Sequence, residues 1–317
     1  MRPISPLDCQ IDEIQRVCLF TSPKAGRGQG REQLQRLEHI LESNGIECRL
    51  IDDVDELVQI TNDSLESIAV VAAGGDGTVS LVASKIRDGL PIIPMPLGTE
   101  NLLAGHFGYQ ADADFVWQTI QHRQIFRMDA GRANGRLFLV MVTAGFDAEV
   151  VRGLHLRRRG HISRWSYAGP IWRAIRRYRF TPIRSTPTVP GGVPATGAET
   201  GSETDALDGA WMMAFNLPCY AAALRIEPDA KSVDGRLSEV CFKRGTIWSG
   251  LRYLLGILRG THLRDAQVQR RKVGTVIWSS CERVPYQIDG DYAGRLPVRI
   301  EVLPGLVTMM RPPDWQN

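Results

Sequence analysis

The chain has 317 residues, of which 43% are hydrophobic and 23% charged, enough for two globular domains that each bury a core. The net charge of +3 is too small to argue for a nucleic-acid partner, and no apolar run approaches the roughly 20 residues that span a bilayer. The N-terminus has no apolar signal core and the six cysteines form no Cys-x-x-Cys pair, so a reducing cytoplasm is expected.

The first hundred residues alternate between strand and helix patterns. Four apolar or β-branched runs predict strands: RVCLFT, IECRLI, IAVVAA and PIIPMP. Between the first two, Leu34, Leu37 and Leu41 recur at helical spacing, and a weaker helical segment follows near residues 55–60. A third helix is expected before Gly89. This alternation predicts an α/β domain with a doubly wound, mostly parallel sheet, whose ligands bind at the carboxyl ends of the strands.

The pattern changes near residue 127, where strand-like runs become dominant. Two such runs, Arg127 to Ala133 and Arg136 to Ala144, flank Asn134-Gly135, a dipeptide typical of tight hairpins. Further strand-like runs are WMMAFNL, RLSEVCFK, KVGTVIWSS and VRIEVL. They are interrupted by a helical pattern at 248–259 and by residues 185–209, whose composition predicts a mobile surface loop. The second half is therefore expected to be mainly antiparallel.

One aspartate stands in the most flexible turn of the first half. Gly74, Gly75 and Gly77 surround Asp76 and would let backbone N–H groups approach an anion at the start of a helix. Asp76 would repel a bare phosphate, so a divalent cation or a hydroxyl proton must lie between them, as in phosphoryl transfer. The alternative is a tight turn in which Asp76 only caps the next helix.

Two more polar glycine loops follow other strands of the same sheet. SPKAGRGQG follows the first strand, and PLGTENLLAG follows the fourth with Gly98, Thr99 and Asn101 opening a helix. Because parallel strands end at one edge of a sheet, the three loops are expected to converge and to bind a nucleotide. The spacings of P-loop, protein-kinase and dinucleotide motifs do not occur.

Six segments carry a family resemblance: SPKAGRG, AAGGDGTVS, PLGTENLLA, TAGFDAEVV, DGRLSEV and IDGDYAG. Their order and rough spacing resemble the diacylglycerol kinase catalytic family, which includes bacterial lipid kinases and the sphingosine and ceramide kinases. The resemblance covers nearly the whole chain. It implies an ATP-binding α/β domain at residues 1–128 and a mainly antiparallel β-sandwich, lipid-binding domain at 129–317. The final residues would be able to pack back on the first domain.

The resemblance also implies roles for individual residues. Asp76 is expected to act on the ATP phosphates through Mg²⁺, and Asp289 in IDGDYAG matches the proposed catalytic base. The residues expected to bind ATP and its metal are Ser22, Lys24, Gly26, Gly74, Gly75, Asp76, Gly77, Thr78, Gly98, Thr99, Asn101 and Asp291.

The chain departs from the family at three places. Ser22-Pro23 and Ala25-Gly26 stand where the family usually has Asn-Pro and Ser-Gly, which affects nucleotide hydrogen bonds. Asp291 replaces the usual Glu and is shorter by one methylene. Bacterial members carry a structural Mg²⁺ at an Asp-Gly loop of the second domain. Here Lys231-Ser232-Val233 precedes Asp234, so a metal at Asp234 is expected to be weak or absent.

Two of the acidic positions have alternative interpretations. A carboxylate such as Asp289 can accept the proton of an alcohol as the phosphoryl group arrives. Without the family order, a plain hairpin turn at Asp289-Gly290 would be the better interpretation. Asp147 in TAGFDAEVV would either position a lipid head group or cap a helix.

The span from Arg152 to Arg184 holds ten arginines and no acidic residue, interleaved with Trp and Tyr. This mixture suits an anionic membrane surface, although a solvated basic helix is the more common structure for such a run. The partners expected are therefore a lipid substrate and an anionic membrane, with no nucleic acid and with an oligomeric state that the sequence does not define.

The combined prediction is a cytoplasmic, Mg²⁺- and ATP-dependent lipid kinase, peripheral on the inner face of the membrane. It would transfer the γ-phosphate to a lipid alcohol such as diacylglycerol. Two alternatives stay open: a small-molecule kinase similar to the NAD kinases, and a catalytically silent regulator that binds ATP or lipid.

Overall fold

The computed structural model describes residues 9–21, 29–63, 67–155, 180–188, 206–220, 224–313 and 315. The chain divides into two units. The first comprises residues 1–129 and 304–317, and the second comprises residues 130–303. The chain leaves the first unit within one long strand and returns to it within another.

The first unit alternates strands and helices along the chain. Strands β1 to β6 are Cys9–Gln10, Arg16–Thr21, Glu47–Ile51, Ile68–Gly74, Ile92–Pro96 and Gln124–Ala133. Helices α1 to α5 are Gln29–Ser43, Val54–Asp63, Asp76–Lys85, Leu102–Phe107 and Ala113–His122.

The sheet of the first unit is mostly parallel. Its order is β5-β4-β2-β3, with the register Phe20↔Ala72 between β2 and β4, and Ala72↔Pro94 between β4 and β5. Strand β4 lies at the centre and is buried along its whole length, as its continuous apolar sequence requires. The predicted leucine stripe of α1 is buried, and each such leucine stabilises the fold by about 1.5–3 kcal/mol.

The second unit consists mainly of antiparallel strands. Strands β7 to β17 are Arg136–Phe138, Met141–Ala144, Ile183–Pro187, Leu207–Gly209, Trp211–Phe215, Leu237–Phe242, Val268–Val273, Thr275–Ser279, Pro285–Ile288, Asp291–Arg295 and Val298–Met310. Helices α6 and α7 are Phe146–His155 and Ile247–Leu258. The end of β17, from residue 304, belongs to the first unit, where Met309 pairs with Ile92 of β5.

Two sheets enclose the core of the second unit. One has the order β13-β12-β11-β8-β15-β16, and the other contains β10-β9-β14 and the first part of β17. Apolar side chains from both sheets form one buried cluster, in which Met212 of one sheet and Trp278 of the other are fully buried. The unit is therefore an antiparallel β-sandwich, and the fold class predicted from the sequence is confirmed.

Three local predictions were wrong in detail. KVGTVIWSS forms two strands in different sheets, because the chain crosses between the sheets at Gly274. The run Arg136 to Ala144 is likewise broken at Leu139 and Val140. The ends of the expected loop at 185–209 belong to strands, since Ser185 pairs with Leu207. Residues 189–205 lie outside the described residues.

Candidate functional site

The glycine turn follows the most buried strand of the first unit. Helix α3 begins at Asp76, and Gly75 at its N-cap position has φ −93° and ψ −174°. A Cβ atom on Gly74 would lie 2.2 Å from Oγ1 of Thr78, so only glycine fits at that position. Gly77 is exposed, and a Cβ atom added to it would have no neighbour within 4 Å. The turn thus presents backbone without side chains at the start of a ten-residue helix, whose N-terminal end favours an anion.

The carboxylate of Asp76 is tied to a helix 26 residues away in sequence. Its Oδ2 accepts a hydrogen bond from the N–H of Leu102 (2.8 Å), and its Oδ1 accepts one from the N–H of Leu103 (3.1 Å). The alternative prediction, that Asp76 only caps the helix that follows it, named the wrong helix, because α3 has no side-chain N-cap hydrogen bond. Asp76 instead accepts hydrogen bonds from the free N–H end of α4, and it thereby fixes two of the predicted loops to each other.

The backbones of the same two loops pass close together. A Cβ on Gly98 would lie 2.7 Å from the Cα of Gly75. Asn101 closes its own turn, because its Oδ1 accepts from the N–H of Gly98 (3.2 Å) and its Nδ2 donates to the Gly98 carbonyl (3.0 Å). Thr99 is exposed at the tip of this turn.

The last residue of the first predicted loop, Gly30, lies beside the loop that follows β5. Ser22, Lys24 and Gly26 lie outside the described residues. The loop leads into α1, where a Cβ on Gly30 would lie 3.2 Å from Cδ1 of Leu97. The structure therefore brings Gly74, Gly75, Asp76, Gly77, Thr78, Gly98, Thr99 and Asn101 together, with the end of the first loop beside them.

Asp289 of the second unit occupies a tight turn between β15 and β16. Asp289 and Gly290 both have positive φ, at 47° and 85°, as the mirror-image turns of hairpins require. The hairpin interpretation of this dipeptide is therefore confirmed as far as the backbone is concerned. The carboxylate of Asp289, however, makes hydrogen bonds outside the hairpin, which a turn of this type does not require.

The carboxylate of Asp289 accepts three backbone hydrogen bonds from the break between β7 and β8. Its Oδ2 accepts from the N–H of Leu139 (2.9 Å), and its Oδ1 accepts from the N–H groups of Val140 (3.0 Å) and Met141 (2.9 Å). On the opposite side of the break, the buried Asn216 donates from Nδ2 to the Leu139 carbonyl (2.8 Å). These bonds replace the sheet ladder that the sequence pattern predicted there. The three N–H donors together hold both carboxylate oxygens in one orientation.

Two further predicted acids of the second unit, Asp291 and Asp234, lie at the surface and each faces a cation. Asp291 is 3.4 Å from Nη2 of Arg136, and both side chains are half exposed. Asp234 accepts from the Nζ of Lys272 at 2.7 Å and from the N–H of Arg236 at 3.0 Å. The ammonium group of Lys272 occupies one side of this carboxylate, so the donor set around Asp234 does not fit a metal ion.

A buried polar network surrounds Asp147 at the start of α6. Its carboxylate accepts hydrogen bonds from the Thr143 hydroxyl, from Nε1 of Trp211 (2.7 Å) and from the Tyr220 hydroxyl (3.1 Å). Burial raises the pKa of Asp147 above its ordinary value, and these hydrogen bonds oppose that change. Asp147 thus lies inside the unit rather than on a helix end facing solvent.

The network extends to the turn that carries Asp289. Nε2 of Gln287 donates to the Thr143 hydroxyl (2.9 Å), and Oε1 of Gln287 accepts from the N–H of Gly290 (2.7 Å). A chain of hydrogen bonds therefore connects Asp147 with the Asp289-Gly290 turn. Five polar or aromatic residues of this region were not predicted from the sequence: Thr143, Asn216, Trp211, Tyr220 and Gln287. The only available signal was a polar residue inside an otherwise apolar strand, as at Gln287 in PYQI.

The loops of the first unit fit an ATP phosphate chain with magnesium. The glycine positions allow close approach, the start of α3 favours negative charge, and Asp76 offers one carboxylate. Within the part of the chain that the structure describes, no group of three or more His, Cys, Asp or Glu is placed to hold a metal. A magnesium ion at Asp76 would therefore depend on phosphate oxygens and water for its other ligands, which is its usual environment in such sites.

Family models match both parts of the chain. Residues 16–133 match the diacylglycerol kinase catalytic domain, and residues 140–311 match the YegS C-terminal NAD kinase beta sandwich-like domain. The second match alone covers more than half of the chain. The chain therefore belongs to the diacylglycerol kinase family, and it is a kinase of the lipid kinase class.

Individual relatives agree with this assignment. A diacylglycerol kinase of Staphylococcus saprophyticus is 23% identical over 315 residues, which is 95% of this chain and 97% of the relative. A diacylglycerol kinase of Mycobacterium tuberculosis is 25% identical over 323 residues, with 95% and 96% of the two chains covered. The crystal structure of a diacylglycerol kinase from Bacillus anthracis superposes with a TM-score of 0.64 at 17% identity, over 96% of this chain and all of that one. This last likeness concerns the fold alone.

Proposed function

We propose that the protein is an ATP- and Mg²⁺-dependent kinase that transfers the γ-phosphate to a lipid alcohol such as diacylglycerol. The observation that carries the proposal is the tie between Asp76 and the start of α4. It holds one carboxylate beside two glycine loops that leave no room for a Cβ atom at Gly74 or at Gly98. Phosphoryl transfer needs such a rigid, close-fitting site because catalysis depends on positioning and charge stabilisation.

The first unit would bind the phosphate donor. When bound, Mg·ATP supplies the transferable phosphoryl group and offsets the negative charge of its oxygens. The N–H groups of the turn from Gly74 to Gly77 and the hydroxyl of Thr78 would bind phosphate oxygens. Asp76 would hold the metal, and its two hydrogen bonds from α4 would keep its carboxylate in one orientation. Asn101 would shape the neighbouring turn through its two bonds to Gly98.

The second unit would supply the base for the acceptor alcohol. As the acceptor oxygen forms its bond to phosphorus and ADP leaves, the hydroxyl proton would pass to the carboxylate of Asp289. The three N–H groups from Leu139 to Met141 fix the orientation of that carboxylate. Asp291 would act on nucleotide or metal binding rather than on the proton. The protein would work in the cytoplasm, at the inner face of the membrane, where a lipid alcohol is accessible.

An acceptor panel tests the proposal. Purified protein is incubated with Mg²⁺ and ATP labelled at the γ-phosphate, with diacylglycerol, a sphingoid base, a polyprenol or NAD offered separately. The expected result is label in a lipid product, most of it with diacylglycerol. Label in NAD alone would replace the proposal by a kinase similar to the NAD kinases. Bound ATP with no labelled acceptor would indicate a silent regulator and would overturn the proposal.

A further inference from the structure

One helix of the second unit exposes an unusual amount of apolar surface. The described residues include eight exposed large hydrophobic side chains, and six of them lie on α7. These six are Ile247, Trp248, Leu251, Leu254, Leu255 and Leu258. Trp248 is 80% exposed and Leu258 is 63% exposed. A contiguous patch of this kind on a soluble unit marks an interaction surface.

The exposed residues form one stripe along the helix. At 100° per residue the six side chains fall within an arc of about 120°. Tyr253 and Ile257 lie outside this arc and are buried. The Tyr253 ring packs against Phe242 with the centroids 4.8 Å apart, and its hydroxyl accepts from the N–H of Arg244 (3.2 Å). The helix is thus attached to its unit by the opposite face, and the stripe is not needed for that attachment.

The start of α7 is also fixed without the stripe. Thr246 and Ser249 form a reciprocal capping box at its N-terminus. The helix is therefore expected to keep its place and its length when the stripe is altered. We therefore expect substitutions in the stripe to leave the fold intact.

The charges around the stripe are almost all positive. Helix α7 contains no acidic residue, and the exposed basic side chains beside it are Lys243, Arg244, Arg252, Arg259 and Arg264. Arg252 pairs with Asp265. Among the described residues, the other four have no ion-pair partner. Exposed tryptophan and leucine with a basic border is the pattern of a helix that lies in the interface of an anionic bilayer.

We infer that α7 docks this protein on an anionic membrane, with its axis in the plane of the interface and the stripe inserted below the head groups. The inference rests on the proposed function, which calls for a lipid surface as the source of the acceptor. Within the described residues no helix is long and apolar enough to span a bilayer. A second copy of the chain fits the stripe less well, because a symmetric contact would bring the same basic residues together.

Vesicle flotation tests the docking in the absence of ATP. The test variant is Trp248→Gln/Leu258→Gln, and the matched control is Leu50→Gln/Leu81→Gln, which removes two exposed leucines of the first unit. Phosphatidylcholine vesicles with and without phosphatidylglycerol are compared at several salt concentrations. Wild type and control are expected to bind the anionic vesicles, and the α7 variant is expected to bind them at least about tenfold more weakly.

Three outcomes decide between the possibilities. Equal binding by the α7 variant and wild type, with both proteins folded, would overturn the docking. Self-association of wild type that the α7 variant abolishes, without any change in vesicle binding, would assign the stripe to a second copy and would also overturn it. Loss of vesicle binding in the α7 variant alone would support it.

Activity on two forms of diacylglycerol separates this inference from the proposed function. The α7 variant is expected to lose turnover on vesicle-borne diacylglycerol and to keep it on a short-chain, water-dispersed form. If wild type binds anionic vesicles through α7 but labels no lipid in either form, the docking stands and the proposed function fails.

Discussion

In both units the carboxylate of an aspartate accepts hydrogen bonds from backbone N–H groups, but these groups belong to different kinds of structure. In the first unit the carboxylate of Asp76 accepts two N–H groups from the start of α4. In the second unit the carboxylate of Asp289 accepts three N–H groups from a break between two strands. Asp76 therefore joins two loops of one parallel sheet, whereas Asp289 replaces part of a sheet ladder. In both cases the hydrogen bonds that stabilise the fold also hold the carboxylate in one orientation, which catalysis requires.

Among the variants of the second unit, the largest effect is expected for Asp289→Asn. The amide cannot accept all three N–H groups, and leaving one of them without a partner costs about 1–3 kcal/mol. If Asp289 is also the base, turnover is expected to fall by roughly 100-fold or more with little change in ATP affinity. Steady-state kinetics and a denaturant melt, run on the same preparation, measure the two effects separately.

Asn216→Ala is the control for that variant. It disturbs the same break from the carbonyl side and leaves Asp289 in place. We expect it to lower stability with a much smaller loss of turnover. If the two variants lose turnover in proportion to stability, Asp289 is a structural residue and the base lies elsewhere.

The second prediction concerns the close approach of the two loops in the first unit. In Gly98→Ala the new Cβ would lie 2.7 Å from the Cα of Gly75, a backbone atom that cannot move aside. ATP binding measured by calorimetry is expected to weaken, together with a stability loss of about 1–3 kcal/mol from strain. Gly105→Ala in α4 has open space around the new atom and is expected to raise stability by about 0.5–1 kcal/mol. Equal melts for the two variants would contradict the close approach.

A third prediction follows from the raised pKa of Asp147. The folded protein keeps a proton on this carboxyl that the unfolded chain releases above its ordinary pKa of 3.8. This residue therefore makes the free energy of unfolding decrease as pH rises from about 3.8 toward the raised pKa. Asp147→Asn removes that contribution. Denaturant melts at a series of pH values are expected to show a shallower decrease for the variant, and parallel curves would show that Asp147 does not titrate in this way.

The smallest effect is expected on removal of divalent metal. Because Lys272 already neutralises Asp234, a chelator is expected to leave the melting temperature of the ATP-free protein unchanged. Lys272→Met is expected to cost no more than about 1 kcal/mol, as for other partly exposed ion pairs. A drop in melting temperature with chelator that Asp234→Asn abolishes would instead show a structural metal at Asp234.

The sequence predicted most of the elements because their signals are local. Apolar runs and leucine spacing are sufficient to place β2, α1 and β4, and Asn134-Gly135 is sufficient for its hairpin, where both residues have positive φ. The helix at 248–259 was also predicted almost to its ends. What the pattern could not show is that this helix leaves its apolar stripe exposed.

The candidate site was predicted as a set of loops but not as a set of contacts. Five backbone N–H groups that bind Asp76 and Asp289 belong to residues with no polar side chain, namely three leucines, a valine and a methionine. Backbone donors leave no mark in a sequence, and the bonds to Asp289 join positions about 150 residues apart. For the same reason the break at Leu139 looks like the middle of a strand until its partner is known.

In the proposed mechanism, Asp76 serves phosphate transfer as well as the structure of its loops. The most direct test is transfer of label from γ-labelled ATP to water-dispersed, short-chain diacylglycerol by wild type and Asp76→Asn, below the melting temperature of both. We expect labelled lipid with wild type, and none with an Asp76→Asn variant that still unfolds cooperatively. A folded Asp76→Asn variant that labels the lipid at the wild-type rate would contradict it.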